Sequence, residues 1–520
     1  MALGRAKRQQ RFDTPEQLLG DRLSGLYRFL ADHGSVLFPD QYFADCYSCS
    51  VLGRPTVPAR VMATTMLLQS HEGLSDREAC DRLGCDLRWQ AAAGVECGYV
   101  AFDPTSLVGM RNRLRASGRP RRLFEDTKAM AREAGVLADR ARVVDSTPLY
   151  DAVATQDTVT QLRSAIRKLL RLLGPAELAS RVRQALIRDD DYESPGKPPC
   201  DWEDPAARDE LVDGLVSDVN AALGVLQGEE LTGALRDAAE LLAILAGQDV
   251  EQAEDGRFRI AERVAKDRVI STVDTEARHG HKSHNRQFDG FKSHLLVDPD
   301  SELIDEVAVT PANVSDREAI DDLLASFDDE PEKPIVFGDS AYADGDTLHR
   351  LEDKGYAVMA RVPPATQRDG RYSKDDFRID LQAGEVTCPA GATVAIRFCN
   401  EGSGIAGFGD LCASCPLQSR CTTAKTGRTI TIHRHEQILR QHKADQQNEE
   451  WKQQYSGTRP KVERKIAHFV HKPWGGRRAR TRGAARVLTD VVTRAAVANF
   501  ARLGVLGVRW DGAVWARGSP

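Results

Sequence analysis

The chain of 520 residues is 41% hydrophobic and 28% charged, which excludes wholesale disorder and exceeds what one ordinary domain holds. It has no run of about 18 uncharged apolar residues to span a membrane, and its basic start, MALGRAKRQQRF, lacks the apolar stretch of a signal peptide, so a cytoplasmic protein is expected. The net charge of −6 argues by itself against a polyanionic partner, but it hides a split: residues 421–520 carry +13 and residues 1–420 carry −19.

Residues 14–137 read as mostly helical. Ser75 and Glu78 form a capping-box pattern. Leu83-Gly84 ends that helix and a second begins near Asp86, which fits a helix-turn-helix or a plain helical hairpin. Residues 141–147 read as a short buried strand ending on Asp145. From 155 to about 260 the pattern is helical again, with Leu162, Ile166, Leu169, Leu170 and Leu173 on one face. Residues 278–284 read as a basic, flexible loop. Residues 288–297 and 303–309, joined through Asp298-Pro299-Asp300, read as a β-hairpin. A helix capped by Ser315 follows, then a buried strand at 334–339 ending on Asp339, a helix at 346–354 and a strand at 357–362. This alternation is an α/β layer pattern. Residues 366–430 are rich in Gly and Cys. The tail from His435 is helical, its last strong helix near 485–503.

Two strands thus each end on an aspartate, Asp145 and Asp339. Carboxylates at neighbouring strand ends suit a hard divalent cation, and two such ions can clamp the attacking and leaving oxygens of a phosphoryl displacement. Glu463 is the only acid between Glu450 and Asp490. Isolated among cations, it is either a salt-bridge hub or a metal ligand set against phosphates. Strand alternation puts Lys292 and His294 on one face, lining a site or DNA, with ordinary polar surface as the other reading. The histidines of 278–284 offer a DNA-facing loop or a metal site.

Eleven cysteines, an odd number, argue against a disulfide framework. Five of them, Cys388, Cys399, Cys412, Cys415 and Cys421, fall within 34 residues. Cys388, Cys412, Cys415 and Cys421 fit a structural zinc, with Cys399 as an alternate ligand and buried free thiols as the other reading. Cys46, Cys49, Cys80 and Cys85 read as core thiols.

The acidic motifs resemble the DDE transposases of bacterial insertion sequences. The first Asp of that family matches Val143-Val144-Asp145-Ser146-Thr147. The second matches Gly338-Asp339-Ser340-Ala341-Tyr342. A Tyr, Arg, Glu and Lys signature matches Tyr455, Arg459, Glu463 and a later Lys472. The family separates Tyr and Arg by two residues and puts Lys seven after Glu. Here three residues separate Tyr455 from Arg459 and Val470 holds the Lys position, so Lys472 or Lys465 would stand in.

The resemblance implies an α/β ribonuclease H-like core, a mixed five-stranded sheet with helices, interrupted by insertions and preceded by an all-α N-terminal domain. The expected divisions are a helical DNA-binding domain at 1–137 and a core at 138–150 and 265–365. A helical insertion at 151–264 and a Cys-rich insertion at 366–430 interrupt it, and C-terminal core helices occupy 431–520. The implied activity is cut-and-paste transposition, with metal-dependent hydrolysis at element ends and strand transfer to target DNA. Two Mg²⁺ or Mn²⁺ ions would be held by Asp145, Asp339 and Glu463. Double-stranded DNA, as terminal inverted repeats and target, would meet Lys292, His294, Tyr455, Arg459, Arg464, Lys465, Lys472, Arg477, Arg478, Arg480 and Arg482, with the protein as a homodimer at the nucleoid. A catalytically inactive DNA-binding relative and a nuclease without strand transfer are the alternatives.

Overall fold

The computed structural model describes residues 14–47, 55–138, 140–152, 155–194, 196–261, 265–283, 286–471 and 476–518. Its organising element is a sheet of six strands: β1 (Ala141–Tyr150), β2 (Arg278–Ser283), β3 (Arg286–Val297), β4 (Ile304–Pro311), β5 (Ile335–Gly338) and β6 (Val358–Ala360). β3 is antiparallel to β1 on one side. On its other side it pairs with β2 along its first part and with β4 along the rest. β1 is parallel to β5, and β5 to β6.

The sheet is five positions wide although six strands build it. The strand not anticipated is β2, residues expected to be a loop. Its Arg-His-Gly-His-Lys sequence has no apolar alternation to announce a strand. It forms at the edge, where pairing of Arg278 with Gly290 and of His279 with Asp289 satisfies its backbone. Gly290 marks the crossing point. Its φ is +136°, and a Cβ there would stand 2.3 Å from the Leu149 carbonyl oxygen.

β1 is also longer than expected. Its pairing with β3 continues to Tyr150, opposite Gly290, so Asp145 lies within the strand rather than at its end. The parallel partner β5 stops at Gly338, and this shorter neighbour leaves Asp145 at an open edge.

Val143, Leu295 and Phe337 point to one sheet face and Val144, Leu296 and Val336 to the other. The first face shares one continuous core with Val462, Ile466 and Phe469 of helix Glu449–Phe469, with Val491 and Phe500 of helix Ala484–Val505, and with Leu30, Leu67 and Phe124 of the N-terminal helices. Asn499 ties these parts together. Its amide donates to Thr127 Oγ1 and to the Ile304 carbonyl, and accepts from the Ile304 amide, at 2.8–3.0 Å.

The capping box forms as read: Ser75 Oγ accepts from the Glu78 amide and Glu78 from the Ser75 amide. Gly84, however, lies inside helix Asp76–Cys85. The joint to the next helix is Asp86, which caps it. Four helices between Thr158 and Gln248 bury their own separate core, in which all five leucine-face residues are buried. A further small core holds the Cys-rich segment.

Candidate active site

β1 and β5 are parallel with Val143 level with Phe337. Extending that register by two residues sets Asp145 level with Asp339. Asp339 closes the short turn Ser340–Tyr342 by accepting from the Ala341 amide at 2.9 Å. Asp145 faces helix Glu449–Phe469, where Arg459 Nη2 lies 2.9 Å from its carboxylate. The next residue, Ser146, points the other way, and its hydroxyl donates to Asp316 at 2.7 Å. Lys292 Nζ binds the second oxygen of Asp316 at 2.8 Å.

Three carboxylates therefore lie within electrostatic reach of one another at this end of the sheet. Burial, aided by the charges of Asp145 and Asp316, holds Asp339 above the ordinary aspartate range; the Ala341 amide and Arg459 pull the other way. Burial and the same three aspartates push the Tyr342 phenol far up. Arg459 is buried, and its Nε and Nη1 have no hydrogen-bond partner among the described residues. Tyr455 donates from its hydroxyl to the Gly338 carbonyl at 3.0 Å and stacks on Trp451. This contact pins the helix beside Asp339.

Asp316 was not expected. The sequence Asn313-Val314-Ser315-Asp316 reads as a helix cap, and only the fold shows that its aspartate faces Ser146 and Lys292.

Glu463 sits one helical turn beyond Arg459. It is exposed, with no ion-pair or hydrogen-bond partner among the described residues. Among those residues no three carboxylate, imidazole or thiol groups stand at metal-ligand spacing. The chemistry of the aspartate set still suits a hard cation. Its part-buried oxygens repel one another, and a divalent ion would relieve that repulsion.

The expected DNA contacts divide. His294 is fully buried; its Nε2 meets Thr310 Oγ1 at 2.8 Å, and burial pushes its pKa down to about 4. Lys465 is buried, its ammonium pushed down to about 8 by the same cause. Neither therefore faces solvent: alternation turns His294 into the core under β4, and Lys465 lies on the packed side of its helix. Arg464 pairs with Glu302. Arg478 and Arg482 are exposed. The Arg477–Ala479 backbone adds to the end of β1 through the Tyr150 amide and carbonyl at 2.7 and 2.8 Å. Arg480 donates to the Ser70 carbonyl at 3.2 Å. Lys472, His284 and Cys49 lie outside the described residues.

Cys388, Cys412, Cys415 and Cys421 border one cavity of about 190 Å³. The Arg428 amide donates to Cys412 Sγ at 3.3 Å. Cys399 is exposed and does not join them.

Two family models match the chain: Transposase domain (DUF772) over residues 16–113 and Transposase DDE domain over residues 253–500. The chain is a DDE-type transposase of an insertion sequence. No curated protein and no solved structure gives a match. The family implies a ribonuclease H-like core in this transposase, and the mixed sheet agrees with it. Asp339 and Glu463 fall inside the matched DDE segment and Asp145 falls outside both segments. Strand pairing alone brings Asp145 to the site. Among the described residues no helix of the transposase is long and apolar enough to cross a membrane.

Proposed function

We propose that this transposase excises and inserts its element by a cut-and-paste route, with hydrolysis at element ends followed by strand transfer. The observation that carries the reading is the level pair Asp145 and Asp339, set beneath a buried arginine with unspent donors. Asp145, Asp339 and Glu463 would hold the divalent ions, which when bound supply Lewis-acid stabilisation of charge on phosphate oxygens. Arg459 pairs with Asp145 from the buried side and so holds its carboxylate in place for the ions. Lys292 holds Asp316 in place behind Ser146, while Tyr455 holds the arginine's helix in register with β5.

In the first step a water oxygen bonds to phosphorus as the P–O3′ bond breaks, leaving a 3′-hydroxyl and a 5′-phosphate. In the second, that 3′-hydroxyl oxygen bonds to a target phosphorus and a target 3′-hydroxyl leaves. The net bond count is unchanged, so one site serves both steps.

The test is nicking and joining of duplexes carrying an element end, with Mg²⁺ or Mn²⁺. Asp145→Ala, Asp339→Asn and Glu463→Gln should each abolish both steps and retain duplex binding. Full activity of Glu463→Gln would remove that residue from the site. Binding without nicking by the wild type would favour an inactive relative, and nicking without joining a simple nuclease. We further propose that the domain divisions follow the ranges expected from sequence, and that the four clustered cysteines hold a structural zinc.

A further inference from the structure

A second cavity, of about 360 Å³, lies at the seam between the N-terminal helices and the C-terminal segment. Arg111 and Arg115, one turn apart on helix Thr105–Ala116, line one wall, and Arg480 and Arg486 line the other. Two aspartates share the cavity, and both are engaged. Asp76 takes Arg111 at 2.6 Å, and Asp490 takes the buried Arg494 at 2.7 Å. Arg115 and Arg486 form no ion pair among the described residues.

The guanidinium groups crowd one another. Burial, with Arg486 and Arg111 nearby, holds Arg115 below its ordinary value. Burial also lowers Arg480; Arg494 and Arg111 add to this and Asp490 opposes it. A second feature points the same way. Ser70, only 5% exposed, and Thr481 both border the cavity, and their buried hydroxyls have no hydrogen-bond partner among the described residues. Converging cations and unspent hydroxyl donors suit an anion with several acceptor oxygens.

We infer that this seam cavity seats a backbone phosphate of duplex DNA, held by Arg115, Arg480 and Arg486, so that one duplex engages the N-terminal helices and the catalytic sheet together. The inference rests on the DNA-processing reading above. DNA is favoured over a small free anion because the wall that carries Arg480 is physically continuous with the site. Its neighbour Ala479 is hydrogen-bonded to Tyr150 at the end of β1, the strand that bears Asp145. The wall also belongs to the +13 segment.

The test uses the full chain and a labelled duplex of arbitrary sequence, with Kd followed across a salt series. One phosphate lost should reduce the slope of log Kd against log salt by about one. R115Q/R486Q is expected to show that reduction on any sequence, and R115K/R486K to keep the wild-type slope. The lysine pair also guards against a glutamine pair that fails to fold, since its own loss of slope would refute a site built on charge. An unchanged slope in folded R115Q/R486Q overturns the inference. So does an unchanged slope in a variant that loses a thermal stabilisation by inorganic phosphate measured for the wild type in the same experiment, which would mark a free-anion site. Wild-type duplex binding without metal-dependent nicking would defeat the catalytic reading alone. Wild-type failure to bind duplex would defeat both.

Discussion

Asp145 and Asp339 are level neighbours in opposite electrostatic circumstances. Asp145 neutralises a buried guanidinium, so Asp145→Ala strands that charge and should cost about 3 kcal/mol. Asp339 is instead held above the ordinary range by burial and by the charges of Asp145 and Asp316. A carboxyl with a raised folded pKa binds its proton more tightly in the folded chain. Its contribution to stability is complete below the unfolded pKa of about 4 and is lost as pH rises through the folded value. Asp339→Asn should therefore raise the melting temperature at neutral pH in chelator-treated buffer and flatten the loss of stability above pH ~4. Asp145→Ala should lower the melting temperature under the same conditions. Both should lose nicking. Thermal melts over a pH series decide it, and a destabilised Asp339→Asn at pH 7 would contradict the charge-crowding account.

Helix Glu449–Phe469 carries Arg459 and Glu463, and Tyr455 ties it to the edge of the sheet through the Gly338 carbonyl. Tyr455→Phe should cost about 1 kcal/mol in urea unfolding. Because that contact sets the arginine against Asp145, nicking at saturating DNA should fall by more than the stability loss accounts for; equal activity would make Tyr455 a packing residue only. The Cys-rich segment rests on a small core of its own, separate from the sheet, so a zinc should add to its order. Elemental analysis should find one zinc per chain, and its removal or Cys412→Ser should lower the melting temperature; a zinc-free, equally stable protein would leave the four as plain thiols. Sequence pattern made the β3–β4 hairpin, the leucine-faced helix and Asp339 legible, because each is written in local periodicity or in a turn. It did not reveal β2, whose pairing owes nothing to apolar alternation. Asp316, Arg115 and Arg486 were also hidden, and Arg480 was expected at DNA without its seam partners, since each acquires its place only from residues far away in the chain. Arg480 and Ser70, for instance, touch across 410 positions.

On the scale of the whole molecule, the apolar cores show what must fold together. The N-terminal helices, the sheet and the last two long helices share one core, so DNA held at the seam acts on the same cooperative unit as the aspartates. The helices between Thr158 and Gln248 do not share it. They pack on one another, and Gln161 and Gln248 both bind the Val269 carbonyl, which ties the segment leaving the unit back to it. Entry and exit also lie side by side, because the Gln156 amide donates to the Ile270 carbonyl at 2.9 Å and the Gln156 side chain accepts from the Thr272 amide at 2.8 Å. A turn of a few Gly and Ser residues can therefore replace 157–269 without stretching β1 away from the following segment. The shortened chain should melt cooperatively and keep metal-dependent nicking, and the excised 155–271 fragment should show helical circular dichroism and its own cooperative melt. A shortened chain that folds but no longer nicks would instead make the helical unit part of the DNA-processing surface, and a fragment without a cooperative melt would show that its core needs the sheet.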